Sequence, residues 1–177
     1  GSARADFAAR LGAIPFFARL EPADLAALAE EAEWREYAPG EVIFLEGEPA
    51  PGLFILAAGY VKVVKTSSQG REQSLEFIAP GQPFNTVAVF TTHPSPATAI
   101  ALEASAAWML PRSRVRRLLR ESPAFAEQVI ESMADRMVFL VSLVADLSLR
   151  SVTERLARLL LDQAVGGVVH RPRWYTV

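Results

Sequence analysis

The sequence contains no cysteine and only two histidines, His93 and His170. Without thiols there is no disulfide, no thiolate nucleophile and no cysteine-held iron–sulfur cluster. Two histidines give a nucleophilic triad little to draw on, and neither a His/Asp/Glu group with metal-ligand spacing nor a phosphate-cradling glycine loop is present. A non-enzyme with no catalytic residue, no metal ligand and no cofactor is therefore expected. No apolar run reaches the length of a membrane span, and the first residues lack the basic start and apolar stretch of a secretory signal. A soluble cytoplasmic protein with no membrane partner is the expectation. Two local absences stand out: residues 72–111 hold no Lys or Arg, and residues 82–165 hold no glycine.

What is present is 177 residues with 51% apolar content, enough for one good core and a helical appendage. The net charge of −2 divides unevenly. Residues 1–111 carry seven Lys/Arg against thirteen Asp/Glu, and residues 112–177 carry eleven against seven. Arg112, Arg114, Arg116, Arg117 and Arg120 form the basic cluster, read as the solvated face of one short helix, with nucleic acid or an acidic partner as the alternative. Arg171 and Arg173 add a second basic pair.

Short apolar runs separated by Gly40, Gly47, Gly52, Gly59, Gly70 and Gly81 fill residues 34–81. Glycine tolerates the positive φ of tight turns between short strands, so this spacing predicts a small antiparallel β-roll. Residues 4–11 and 22–32 read as short amphipathic helices. Residues 83–96 interrupt the strands, with one helical turn at 86–90, and 97–103 and 106–110 return to strand. From Ser122-Pro123 onward apolar residues follow helical spacing. Ile130, Met133, Met137, Leu140, Val144 and Leu147 step by three and four, a heptad seam on a helix about 39 Å long. No other helix of that length is available in the chain to cover the seam, which predicts a homodimer. Ser151-Val152-Thr153-Glu154 is a capping box opening a further helix, so Ser148, Leu149, Arg150 and Ser151 are expected to form a hinge.

The order of these elements resembles the Crp–Fnr family of bacterial transcription regulators. The resemblance rests on the glycine-spaced segments 39–47 and 52–63, on the long helix, and on Ser151-Val152-Thr153-Glu154-Arg155-Leu156-Ala157 after it, and runs from about residue 20 to 177. It implies an α+β fold: an antiparallel double-stranded β-helix of jelly-roll type flanked by short helices, then a long dimerisation helix. The expected division is a sensory roll over 1–121, the dimerisation helix over 122–150, and over 151–177 a hinge-following helix with the start of a truncated DNA-binding domain, to which Tyr175-Thr176-Val177 would lead. DNA is thus expected as a partner of the intact protein only, with a small effector of unknown identity and RNA polymerase as further candidates.

The family's pocket uses a cassette after a Pro-Gly turn, corresponding here to Pro80-Gly81-Gln82-Pro83-Phe84-Asn85-Thr86 and onward to Thr98. Members that bind cyclic nucleotides place a glutamate there for the ribose and an arginine for the phosphate. By that correspondence Thr86 stands at the glutamate position and Pro96 at the arginine position. Little affinity for cyclic AMP follows. The expected ligand-binding residues are Phe84, Asn85, Thr86, Val87, Thr98, Met137 and Leu140, suited to a small apolar or weakly polar effector. The alternatives are a haem-based gas or redox sensor of the same family, using His93, His170, Met133 or Met137, and a stand-alone cyclic-nucleotide-binding module. The module predicts an intact phosphate cassette and no seam, the reverse of what is found here.

Overall fold

The computed structural model describes the backbone of residues 2–149 and the side chains of residues 4–145. Helix α1 (Ser2–Gly12), a 3-10 turn at Pro15–Phe17 and helix α2 (Pro22–Glu31) precede the strands. The strands are β1 (Glu33–Tyr37), β2 (Val42–Phe44), β3 (Gly52–Ala58), β4 (Val61–Thr66), β5 (Glu72–Ile78) and β6 (Pro83–Phe84). Helix α3 (Thr86–Phe90) follows, then β7 (Thr98–Ala101), β8 (Ser105–Pro111), α4 (Arg112–Glu121) and α5 (Pro123–Leu149). Helix α3 falls on the turn expected at 86–90. Helix α5 begins at the Pro123 start signal, since proline at a first helical turn loses no intrahelical hydrogen bond.

The eight strands form two antiparallel four-stranded sheets, in the orders β1-β8-β3-β6 and β2-β7-β4-β5. This is the antiparallel roll that the glycine spacing predicts, in the jelly-roll-like form that the family resemblance implies. β3 lies between β8 and β6, and its residues Gly52 to Leu56 are all buried. Its unbroken apolar run reflects cover on both faces, since α4 packs on β3 and β8 and the roll interior lies opposite. Inside the roll, Phe44, Phe54 and Phe84 stack with ring centroids 5.1 to 6.2 Å apart, bringing β2, β3 and β6 together. Leu56, Val61, Ile78, Ala99, Ala107 and Met109 complete that core. Outside it, Phe7 of α1 stacks on Trp108 at 4.7 Å, and Trp34 meets Trp108 edge-on across the β1-β8 ladder.

Two glycines are required by contact as well as by conformation. At Gly59 φ is +87°, and an added Cβ would lie 2.2 Å from Ser105 Oγ. At Gly52 it would lie 2.2 Å from the Leu110 carbonyl oxygen, so β3 and β8 approach too closely there for any side chain.

The chain divides into two compact units, the first running through Gln128 and the second beginning at Val129, within α5. The helix continues through Ser148 and Leu149, so the hinge expected to open at Ser148 is still helical at those two positions; no glycine or proline interrupts them. Arg150 and Ser151 of that hinge, the helix after it, and the Leu147 side chain lie outside the described residues.

The phenylalanine stack lies within the buried core of the roll. Replacing Phe54, 1% exposed, with alanine is expected to cost about 3–5 kcal/mol of stability. Denaturant unfolding checks this, and a loss below about 1 kcal/mol would contradict the core assignment.

Candidate functional site

The cassette between β5 and β7 is fixed at both ends. At its start, Phe84 pairs with Phe54 in the β3-β6 ladder and belongs to the buried core. Asn85 follows with φ +62°, a left-handed conformation that asparagine tolerates better than most side chains. Its Nδ2 donates to the Gly52 carbonyl oxygen at 3.0 Å. That bond sets where α3 begins, so the Asn85 amide is committed to the backbone of β3. Within α3, Ala88 and Val89 are buried while Val87 is 50% exposed. Thr86 is half-buried.

At the other end, Thr98 Oγ1 accepts the Glu46 N–H at 2.9 Å. The Glu46 carboxylate then receives Lys65 Nζ at 2.6 Å and the Thr66 N–H at 3.5 Å. Lys65 Nζ also donates to the Pro96 carbonyl oxygen at 2.9 Å. A cation therefore does reach the cassette, although residues 72–111 supply none. It arrives from β4, which pairs with β7 so that Val64 faces Thr98. Glu46 matches that cation locally. Its carboxyl is held below the usual carboxylate range, chiefly by the Lys65 hydrogen bond and also by the Thr66 N–H, against an opposing desolvation.

The expected site residues thus have different surroundings. Phe84 is in the core, Asn85 and Thr98 are engaged by backbone groups, and Thr86 and Val87 are on α3. Met137 and Leu140 belong to the second unit, where they are 66% and 45% exposed. Glu46 and Lys65 were missed by sequence reasoning. The available signal was the strand register, which brings residues 19 apart in sequence together.

The arginine cluster on α4 also differs from expectation, because much of it is not a solvated face. Arg114 Nε and Arg117 Nη2 both lie 2.9 Å from Glu31 Oε1 at the end of α2. Arg112 Nη2 donates to the Thr91 carbonyl oxygen, and Arg116 Nη1 to that of Phe90 at 3.4 Å. The residues Val115 and Leu118 are buried, so seating that face brings the neighbouring arginines against the carbonyls that end α3. Phe90 further packs on Phe16 and Phe125, both rings at 6.3 Å, and Phe17 stacks on Phe125 at 5.4 Å. The cassette, α4 and the first turn of α5 thereby share one aromatic and guanidinium contact set.

Among the described residues there is no group of three or more His, Cys, Asp or Glu that could hold a metal ion, and no helix long and apolar enough to cross a membrane. His93 is exposed in the loop after α3, and His170 lies outside the described residues.

A roll of two antiparallel sheets, with a short helix carried between β6 and β7 and a long helix after it, defines a sensory domain of the cyclic-nucleotide-binding type. Residues 34–122 match the family of the cyclic nucleotide-binding domain. Over 148 residues the chain is 29% identical to the CRP-like cAMP-activated global transcriptional regulator of Mycobacterium tuberculosis, covering 84% of this chain and 66% of that protein. The catabolite activator protein of Thermus thermophilus has the same fold, with a TM-score of 0.68 and 26% identity over 88% of this chain and 73% of that one. The sensor domain of the transcriptional regulator DNR from Pseudomonas aeruginosa is similar in fold, with a TM-score of 0.73 and 21% identity over 86% of this chain and 99% of that one. The chain belongs to the cyclic nucleotide-binding domain family, and is a sensory domain of the Crp–Fnr regulator type. It spans just under two thirds of the length of the M. tuberculosis relative.

The Glu46–Lys65 pair has a defined pH signature. Because the folded-state pKa of Glu46 is lowered, its contribution is present at neutral pH and is lost as pH falls through that lowered value. Unfolding midpoints of the wild type should exceed those of Glu46→Gln near neutrality and converge with them in acid. A gap that does not change with pH would contradict the pairing.

Proposed function

We propose that this chain is the effector-sensing and dimerising part of a bacterial DNA-binding transcription regulator that does not respond to cyclic AMP. It acts as a cytoplasmic homodimer, and the intact protein meets DNA and RNA polymerase through parts beyond the sensory roll. The observation that carries the effector reading is the state of the cassette. Proline stands at position 96, where the resemblance places the phosphate-binding arginine, and the one lysine that reaches this point is already paired with Glu46. The M. tuberculosis relative is named for activation by cAMP. The corresponding cassette here offers a cyclic phosphate a neutralised cation and a carboxylate close by, and charge-assisted bonds worth about 1.5–3 kcal/mol each are not available to it. An effector that is small and apolar or weakly polar suits the Thr86 and Val87 face of α3.

The dimer reading is supported by the exposed seam of α5. Ile130, Met137, Leu140 and Val144 are exposed, as are Val138 and Val141 beside them. A contiguous apolar stripe of this size on one helix marks an interaction surface, and its three-and-four spacing suits a second copy of the same helix. The aromatic set joining Phe90 to Phe125 gives α3 a direct contact with the root of that helix, through which a displaced cassette would act on it.

Isothermal calorimetry with cyclic AMP tests the effector reading: no saturable heat is expected up to about 1 mM ligand, and micromolar binding would overturn it. The dimer is tested separately by light scattering of Leu140→Glu, which is expected to be monomeric. An unchanged dimer would remove α5 as the interface.

A further inference from the structure

Beside the cassette, a cavity of about 310 Å³ opens between the turn at residues 47–50, the loop carrying Thr92, His93 and Pro94, and Arg112 at the start of α4. Its walls are tied together by backbone bonds. Gly47 N–H donates to the Ser95 carbonyl oxygen at 2.9 Å, Ser95 N–H to the Glu48 carbonyl oxygen at 2.8 Å, and Arg112 N–H to the Pro51 carbonyl oxygen at 3.1 Å. The lining holds a guanidinium, an imidazole and a hydroxyl, with Pro49, Ala50 and Pro94 as apolar surface, and no carboxylate. Of the guanidinium donors, Nη2 is used on the Thr91 carbonyl oxygen, and Nε is closed off from solvent without an acceptor. Ser95, 2% exposed behind the same loop, likewise has a buried Oγ with no partner.

We infer that this cavity is a binding site for a small oxyanion, a carboxylate or phosphate group on a compact body, held by Arg112 and His93. A guanidinium presents paired N–H groups that match the two oxygens of either group, and its removal from bulk water strengthens each bond. A void of this volume takes a molecule of several heavy atoms, its head on Arg112 and its body against the two prolines and Ala50. The site adjoins the Glu46–Lys65 end of the cassette, since Gly47 follows Glu46 and Ser95 precedes Pro96, but it uses different side chains and does not depend on the effector reading. It is nevertheless connected to the cassette, because Arg112 holds the carbonyl of Thr91, the residue that ends α3. An anion on Arg112 competes for that guanidinium and loosens the tie.

The test is an NMR titration of the whole 177-residue chain with sodium phosphate and, separately, with sodium succinate, against sodium chloride at equal ionic strength. Saturable shifts confined to the amides of Gly47, Thr91, Thr92 and His93, with a Kd of about 1 mM or tighter for at least one of the two, are expected. Saturation by phosphate alone identifies a phosphate site, and by succinate alone a carboxylate site. In Arg112→Gln the affinity should fall at least about tenfold. His93→Ala, at an exposed loop position that leaves the fold intact, should weaken binding severalfold and keeps the test valid where the arginine variant fails to fold. Linear shifts shared with chloride, or saturable binding that both variants retain, would overturn the proposal.

Discussion

Stacking of Phe44, Phe54 and Phe84 is the contact on which the remainder of the sensory roll depends. These rings come from β2, β3 and β6, so one stack joins strands of the two sheets and brings the entry to the cassette into the core. Close approach of β3 to β8 at Gly52 places the carbonyl that receives Asn85, and Asn85 in turn directs α3 away from the sheet. The cassette is therefore positioned by core packing, which gives the start of its short helix a rigid frame.

At its far end the same helix is held by softer means. Phe90 lies against Phe16 and Phe125, and the carbonyls of Phe90 and Thr91 are held by Arg116 and Arg112. Aromatic contacts at about 6 Å and guanidinium to carbonyl bonds rearrange with little loss of apolar burial, unlike the interior of a stacked core. A rigid start and an adaptable end are what a short element needs if its displacement is to reach the root of α5.

Much of the fold was legible because it is written locally. Glycines at 40, 47, 59, 70 and 81 all adopt positive φ, and the turns they make delimit the strands that their spacing predicts. The Pro123 start and the apolar recurrence beyond it located α5, and the single turn at 86–90 was found between runs of strand. What escaped is non-local. Glu46 meets Lys65, and Glu31 meets Arg114 and Arg117, only because strand pairing and helix packing bring them together. The arginines of α4 read as a solvated face because a charge run carries no mark of its partner when that partner is a carboxylate more than eighty residues away. Phe84 read as a pocket wall for the same reason, since its place in the stack depends on β6 pairing with β3.

Proline at position 96 acts through its main chain as well as its side chain. A proline has no N–H, so at this position before β7 the main chain offers only an oxygen, and that oxygen accepts from the ammonium of Lys65. The Lys65 ammonium is thus held between the Glu46 carboxylate and that carbonyl oxygen, its charge answered locally. An arginine at position 96 would bring a backbone N–H as well as a new side chain.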